Sequence, residues 1–363
     1  MRSILAFKLL SLECRIPFQR ISLILLSLIL LSAGLLFPIN TITAQATTFE
    51  QTRTLTPTPA ALVPTDNLPD QPDFPAVTVK PDLDWRPPLY EAPLALNLRD
   101  HFYFVRPIAV DSINWPLPDY RYGYIFPDED IAHTGIDIVS PLHKPVLAAA
   151  EGKVVFTGYG LLNGGGDIDD PYGLTVVIRH TFSFDSYTIY SVYAHLDRID
   201  VKTGQWLKTG NQVGIIGMTG KTSGPHLHFE IRIENENGDK VQNPELWLVP
   251  PIGYGVIAGR IVNNYGTLLT AKKVWLASLE TGVVWTIFTY APKTKQVDDY
   301  YRENFAIGDL PAGNYEISMY YNGKMYRGPV VISPGAVNYI QFNGINGFVQ
   351  KSPATPHPTE FLQ

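Results

Sequence analysis

From about Asn97 to Leu248 the chain repeats one pattern: short runs of β-branched and aromatic residues cut by glycine-containing turns. Examples are "PVLAAAEGKVVFTGYG", "GLTVVIRH", "YTIYSVYAHLD" and "GQWLKTGNQVGIIGMTGKTSGPHLHFEIRI". Runs of five to eight such residues between turn signals predict antiparallel strands, not helices. A second set of such runs follows from about Gly253 to Phe342, with "GVIAGRIV", "KKVWLASLE", "VVWTIFTYA" and "AVNYIQF". The expected fold is therefore mostly β, an antiparallel-sheet domain over 96–250 followed by a second, smaller all-β domain over 251–345. Composition points the same way, since 12% aromatic and only 17% charged residues favour strands and turns over charged helices. At 363 residues the chain has room for two such domains and their connections.

The ends differ from this pattern. Residues 1–46 carry Arg2, Lys8, Arg15 and Arg20 ahead of the apolar run "ISLILLSLILLSAGLLF", with small residues Ala44 and Ala46 after it. A basic flank, an apolar segment and a small-residue site make either a cleaved export signal or a retained membrane anchor. Either way the remainder is expected outside the cytoplasm, secreted or associated with the cell envelope. Residues 47–95 hold ten of the chain's 30 prolines and read as an extended linker. The Pro-rich stretch 346–363 reads as a disordered tail. The one cysteine, Cys14, precedes the apolar run, so a processed chain has no disulfide and no thiolate ligand. A net charge of −6 gives no basic footprint for a nucleic-acid partner.

In a strand, side chains two apart share a face. The run "SGPHLHFEIRI" therefore puts His226 and His228 on one face and Leu227 and Phe229 on the other. Two adjacent imidazoles are costly in a core and useful around a metal ion or a reacting water. Two further groups could join them, "HTGIDI" with His133 and Asp137, and "YAHLD" with His195. Two imidazoles and a carboxylate are a common catalytic zinc set that leaves a fourth position for water.

These three elements, His-x-x-x-Asp, Tyr-x-His-Leu and Gly-Pro-His-Leu-His-Phe-Glu, resemble those of the lysostaphin-like zinc metallopeptidases that cut peptidoglycan peptides. The likeness runs from about Ile131 to Leu248 and takes in "KPVLAAAEGKVV", "VVIRH" and "NPELWL". It implies one zinc ion per chain held by His133, Asp137 and His228, with His195 and His226 acting in catalysis beside it. It also implies an exported endopeptidase whose substrate is a peptidoglycan stem peptide or cross-bridge. Zinc chemistry suits that assignment, because it makes water nucleophilic near neutral pH while a neutral imidazole can take the proton. The rival is a non-catalytic wall-binding or amidase-regulating module of the same fold. Such relatives typically lack a ligand, and none is missing here.

Tyr193 is expected either to line the substrate groove beside His195 or to pack in the core. The remaining histidines, His101, His143, His180 and His357, are expected in surface or capping roles. The segment "GLLNGGGDIDDPYGLTVV" is longer than the family pattern leads one to expect, and its acids Asp167, Asp169 and Asp170 read as a solvated, flexible loop. The C-terminal unit is similar to carboxypeptidase-regulatory or prealbumin-like β-sandwich modules, with wall or glycan binding and a passive spacer as its two candidate roles.

Overall fold

The structure, a computed structural model, describes residues 89–353 apart from 98, 109–119, 128, 236–237, 293 and 295. The N-terminal apolar segment, most of the Pro-rich linker, and the tail beyond 353 with His357 lie outside the described residues. No described helix is long and apolar enough to cross a membrane.

The first unit is a nine-stranded sheet. Its strands are β1 (Ile136–Val139), β2 (Pro145–Leu147), β3 (Gly152–Gly158), β4 (Leu174–Phe184), β5 (Tyr187–Ile199), β6 (Trp206–Leu207), β7 (Gln212–Ile216), β8 (His226–Asn235) and β9 (Gly238–Gln242). The order is β1-β8-β5-β4-β3-β6, with β9 on β8 and β7 on both β5 and β2. All these pairs are antiparallel, as the glycine-turn pattern predicts. Alternation along β1 and β8 buries Ile136, Ile138, Leu227, Phe229 and Ile231 in one core and turns Asp137, His226 and His228 to the opposite face.

The second unit is a sandwich of two four-stranded sheets. It comprises β10 (Tyr254–Ile261), β11 (Lys273–Ser278), β12 (Val284–Phe288), β13 (Phe305–Pro311), β14 (Gly313–Tyr321), β15 (Lys324–Ile332), β16 (Val337–Asn343) and β17 (Gly347–Gln350). One sheet runs β13-β10-β16-β17 and the other β12-β11-β14-β15. Two features depart from the sequence expectation. The pair β10–β16 is parallel. The strand β17 lies inside the stretch expected to be tail, where it pairs with β16 and buries Phe348. At the other end, Leu89, Tyr90, Ala92 and Leu94, at the close of the expected linker, pack against the core of the first unit.

The two units share one core. Along β10, Val256 and Ala258 face the first unit while Ile257 and Ile261 face the second sheet of the sandwich; along β16, Val337 and Tyr339 divide from Ile340 and Phe342 in the same way. A strand buried on both faces must be apolar at nearly every position, which is why "YGVIAGRI" does not alternate. The seam also carries buried polar groups. Asp100 accepts from the Tyr301 hydroxyl and, at 3.3 Å, from the Val337 amide. Glu303 accepts from the Tyr290 hydroxyl at 3.0 Å and the Asp298 amide at 3.2 Å.

Burial, reinforced by the charge of Asp298, pushes the Glu303 carboxyl up to about 8 from its ordinary value near 4.5. A carboxyl raised on folding takes up a proton as the chain folds, so the stability linked to it is present below pH 4.5 and is lost as pH rises toward 8. Glu303→Gln should accordingly melt at a higher temperature than the native chain at pH 8, with the two curves converging near pH 4.5, in thermal scans across pH. A native chain as stable at pH 8 as at pH 5, with no gain in the variant, would contradict this.

Candidate active site

Antiparallel register sets Asp137 of β1 directly opposite His228 of β8, whose other neighbour is Ala194 on β5. His133 reaches the same point from the loop before β1. The His133 Nε2 and His228 Nδ1 atoms lie 3.0 and 2.8 Å from Asp137 Oδ1, and 3.1 Å from each other. Among the described residues this is the group whose donor atoms are close enough to hold a metal ion.

The hydrogen bonds behind these atoms decide what they can do. His133 Nδ1 sits 3.1 Å from the Arg121 carbonyl oxygen, and His228 Nε2 sits 3.0 Å from a Glu230 carboxylate oxygen. Both of those oxygens only accept, so each outer ring nitrogen carries the proton and each inner one presents a lone pair. With the rings neutral, two lone pairs and a carboxylate oxygen converge, so a bound cation can take the place of the proton that this site otherwise attracts. Burial alone would lower the His228 basicity, yet its bonds to Asp137 and Glu230 outweigh this and push the ring up to about 9. Burial likewise opposes charge on Asp137, but the His133 and His228 rings hold its carboxyl well below the usual range. The same negative cage that attracts a proton would hold a divalent ion.

Behind the ligands stands a buried network on the face of β8 that continues beyond His228. Glu230 is fully buried and accepts from His228, from the Tyr172 hydroxyl at 2.6 Å, from Arg232 Nε at 2.6 Å and from the Thr134 hydroxyl. Burial raises its carboxyl, but Arg232 and His228 prevail and hold it well below the ordinary range. Gly135, between Thr134 and β1, must lack a side chain, since a Cβ there would meet the Phe229 carbonyl oxygen at 2.3 Å.

His195 and His226 flank the ligands with ring centroids 4.8 Å apart. His195 Nδ1 lies 2.8 Å from the Thr219 carbonyl oxygen and His226 Nδ1 lies 2.8 Å from that of Gly224. By the same argument both keep the proton on Nδ1 and leave Nε2 as a base. Burial, reinforced by the neighbouring imidazoles, lowers His195 to about 3, and burial lowers His226 as well, so both rings are neutral at physiological pH. These rings face an open cleft of about 490 Å³ whose walls include Tyr120, Phe126, Leu162 and Tyr172. An ion pair between Lys221 and Glu129 stands at its rim.

The structure thus brings together all five of the His and Asp residues singled out from the sequence, and it separates Tyr193 from them. His195 has φ of +61° at a bulge in β5, where the register with β4 shifts, and the register with β7 shifts just beyond it, between Leu196 and Arg198. The bulge reverses the alternation, so His195 faces the cleft while Tyr193 is fully buried, with its ring 5.4 Å from Phe229. Its hydroxyl accepts from the Ala149 amide at 2.8 Å and the Ser191 hydroxyl at 3.0 Å. Tyr193 is a core residue and not part of the groove.

The long 160–173 loop is also not simply solvated. Asp170 is buried and its carboxylate accepts from the amides of Leu162 and Asn163 at 2.7 Å and of Tyr172 at 2.9 Å. That turn presents Tyr172, whose hydroxyl bonds Glu230 while its carbonyl accepts from the His195 amide at 3.0 Å. His101 and His180 are buried as well, in contrast to the surface or capping roles expected. His180 bonds the Glu151 carbonyl at 2.9 Å and the Ser191 hydroxyl at 2.8 Å.

The sandwich unit reaches the site through the segment that precedes His133. His133 pairs with that segment through backbone bonds to Gly123 and Tyr124 at 2.9 and 2.6 Å. Gly123 in turn accepts from Ala291 at 2.7 Å, and Arg121 pairs with buried Glu245, which also accepts from the Gly308 amide at 2.8 Å. Gly123 has φ of +79° and lies against the Tyr290 ring, where a Cβ would come within 2.5 Å. One metal-ligand candidate is therefore braced against the second unit.

A chelator-competition titration of the purified chain should find one tight divalent-cation site, lost in His133→Ala and Asp137→Ala. Glu230→Gln should weaken it by roughly 10- to 100-fold by loosening the His228 ring. Unchanged affinity in that variant would contradict the link from Glu230 to the ligand.

Comparison with known proteins bears on the same stretch. Residues 131–243 match the model of Peptidase family M23. The peptidoglycan DD-endopeptidase ShyC of Vibrio cholerae is 37% identical over 116 residues, which cover 31% of this chain and 24% of that protein. A lipoprotein NlpD/LppB homolog of Pseudomonas aeruginosa is 37% identical over 134 residues, covering 37% of this chain and 40% of that protein. Among solved structures, the catalytic domain of lysostaphin from Staphylococcus simulans is 28% identical with a TM-score of 0.28, covering 34% of this chain and 86% of that one. The chain thus spans between about a quarter and two fifths of the length of these two full-length relatives.

Proposed function

We propose that the Peptidase family M23 domain carried by this chain is a zinc-dependent endopeptidase that hydrolyses peptide bonds in peptidoglycan stem peptides or cross-bridges. The observation that carries this reading is the convergence of two imidazole nitrogens and a carboxylate oxygen beside two further imidazoles in an open cleft. The donor set, two imidazoles and one carboxylate with histidine protons tied to outer acceptors, suits zinc. Zinc, when bound, supplies the Lewis acid that polarises the scissile carbonyl and makes water nucleophilic near neutral pH.

The chain's own residues do the rest. His133, Asp137 and His228 hold the ion, and Glu230 fixes the His228 ring. His195 and His226, pinned by carbonyls at Nδ1, both present an Nε2 lone pair: one accepts the proton of the attacking water, and the Nε2–H so formed donates to the oxyanion and then delivers that proton to the leaving amine. The cleft walls orient an extended peptide, with Tyr172 and Leu162 from the long loop on one side. The substrate places the enzyme outside the cytoplasm, in keeping with the lipoprotein named among the relatives and with the basic, apolar N-terminal segment. That segment serves as export signal or membrane anchor.

Zinc-loaded chain should release new amino groups from purified peptidoglycan. Chelation or His228→Ala should lower the rate by at least about 10²-fold, and His195→Ala or His226→Ala by about 10²- to 10⁴-fold with zinc still bound. Zinc-loaded chain that frees no amines from walls of several cross-link types would overturn the reading in favour of a non-catalytic module.

A further inference from the structure

The aromatic residues of the cleft do not stop at its rim. Phe126, which lines the cleft, has its ring centroid 5.2 Å from that of Tyr124, and Tyr124 is 5.4 Å from Phe288 on β12 of the sandwich. Phe288 stands opposite Lys273 on β11, and Trp275, two residues on, shares their face. The Lys273 ammonium lies 5.8 Å from the Phe288 ring and 6.0 Å from that of Trp275. Tyr320 on β14 continues the row, 6.1 Å from Trp275. The row thus leads from the catalytic cleft onto the outer face of the second sandwich sheet.

The sandwich does not require these rings for its own core. Its inner face is filled by Val274, Leu276, Ile287, Ile317 and Met319, all buried, whereas Tyr320 is 58% exposed and Lys273 is exposed. The core and backbone bonds shared by the two units hold the row in a fixed relation to the cleft. Rings 5.2–6.1 Å from their neighbours and turned 58–84° against one another, with the Lys273 ammonium between Phe288 and Trp275, offer faces and edges in turn and suit a ligand made of repeating apolar-faced units edged with hydroxyl and carbonyl groups. A glycan strand has that chemistry. A nucleic acid would also stack on aromatic rings, but the chain's net charge of −6 opposes it.

We propose that Trp275, Tyr320, Phe288 and Lys273 form a binding track for the glycan strand of peptidoglycan, leading to the cleft that Phe126 and Tyr124 enter. This rests on the reading of the cleft as a peptidoglycan peptidase site, and it gives the sandwich a substrate-holding role in place of a spacer's. One pyranose ring stacks on the Trp275 or Tyr320 face while the other aromatic ring, set at 84° to the first, flanks the strand, and the Lys273 ammonium donates to sugar hydroxyl or acetamido oxygens.

The test measures binding of peptide-free glycan strands by calorimetry to the full chain carrying His228→Ala, so that it stands whether or not the chain cuts peptide bonds. Trp275→Ala and Tyr320→Ala should each weaken binding about tenfold or more, with Trp275→Phe recovering part of the loss. Tyr320→Ala, at an exposed position, leaves the test intact should Trp275→Ala misfold. Absence of binding to the unsubstituted track, or binding by the folded Tyr320→Ala and Trp275→Ala chains as tight as that of the unsubstituted track, would overturn the proposal. Tighter binding of single-stranded DNA than of glycan strands would overturn it too.

Discussion

The site depends on one cross-strand pair, Asp137 opposite His228. Antiparallel pairing of β1 with β8 makes the two side chains face neighbours at 2.8 Å, and a one-residue slip would send one of them into the core with Leu227 and Ile138. The apolar residues on the opposite face prevent that slip, because it would also expose Ile136 and Phe229, both fully buried. Core packing therefore sets the register, and the register sets the proposed metal site. Everything else at the site orients the rings around that pair: Glu230 and the Arg121 carbonyl draw protons outward, and the Thr219 and Gly224 carbonyls do the same for the two flanking histidines.

The second consequence concerns domain architecture. A metal-ligand candidate that precedes the first strand would ordinarily rest on a loop, which is a poor platform for a geometry that must hold within about half an ångström. Here the segment carrying Arg121 and Gly123 is sandwiched between His133 and residues of the second unit, including Ala291, Tyr290 and Gly308 through Glu245. The sandwich is thus part of the scaffold of the site. Its innermost sheet is buried on both faces, and the aromatic row on its outermost sheet faces away from that shared core.

Much of the fold was legible because it rests on short periods, whereas the candidate ligand set was implied by the resemblance of three short motifs to a known family. Glycine turns and β-rich runs predict the strands, and period-2 alternation predicts that His226 and His228 share a face. That same alternation runs on to Glu230 and Arg232, so the sequence also carries the signal for the carboxylate behind His228. Tyr193 illustrates where the rule fails: a bulge at His195 reverses the alternation, and only the left-handed φ of a non-glycine residue marks it. The buried Asp170 turn and the seam between the units rest on contacts across long sequence separations, such as Asp100 with Tyr301 and Glu245 with Gly308. No local pattern encodes those contacts. Strand β17 was hidden because its Pro-rich sequel dominates the composition of the last residues.

The central claim is that His133 Nε2, Asp137 Oδ1 and His228 Nδ1 form the metal centre while His195 and His226 remain bound to backbone carbonyls. A crystal structure of the zinc-soaked chain, with anomalous difference maps on either side of the zinc absorption edge, tests it most directly. The account predicts a single strong zinc peak bonded to those three atoms, with the Thr219 and Gly224 carbonyl contacts preserved. Zinc bound through His195 or His226, or through the Nε2 atom of His228 with Glu230 displaced, would contradict it.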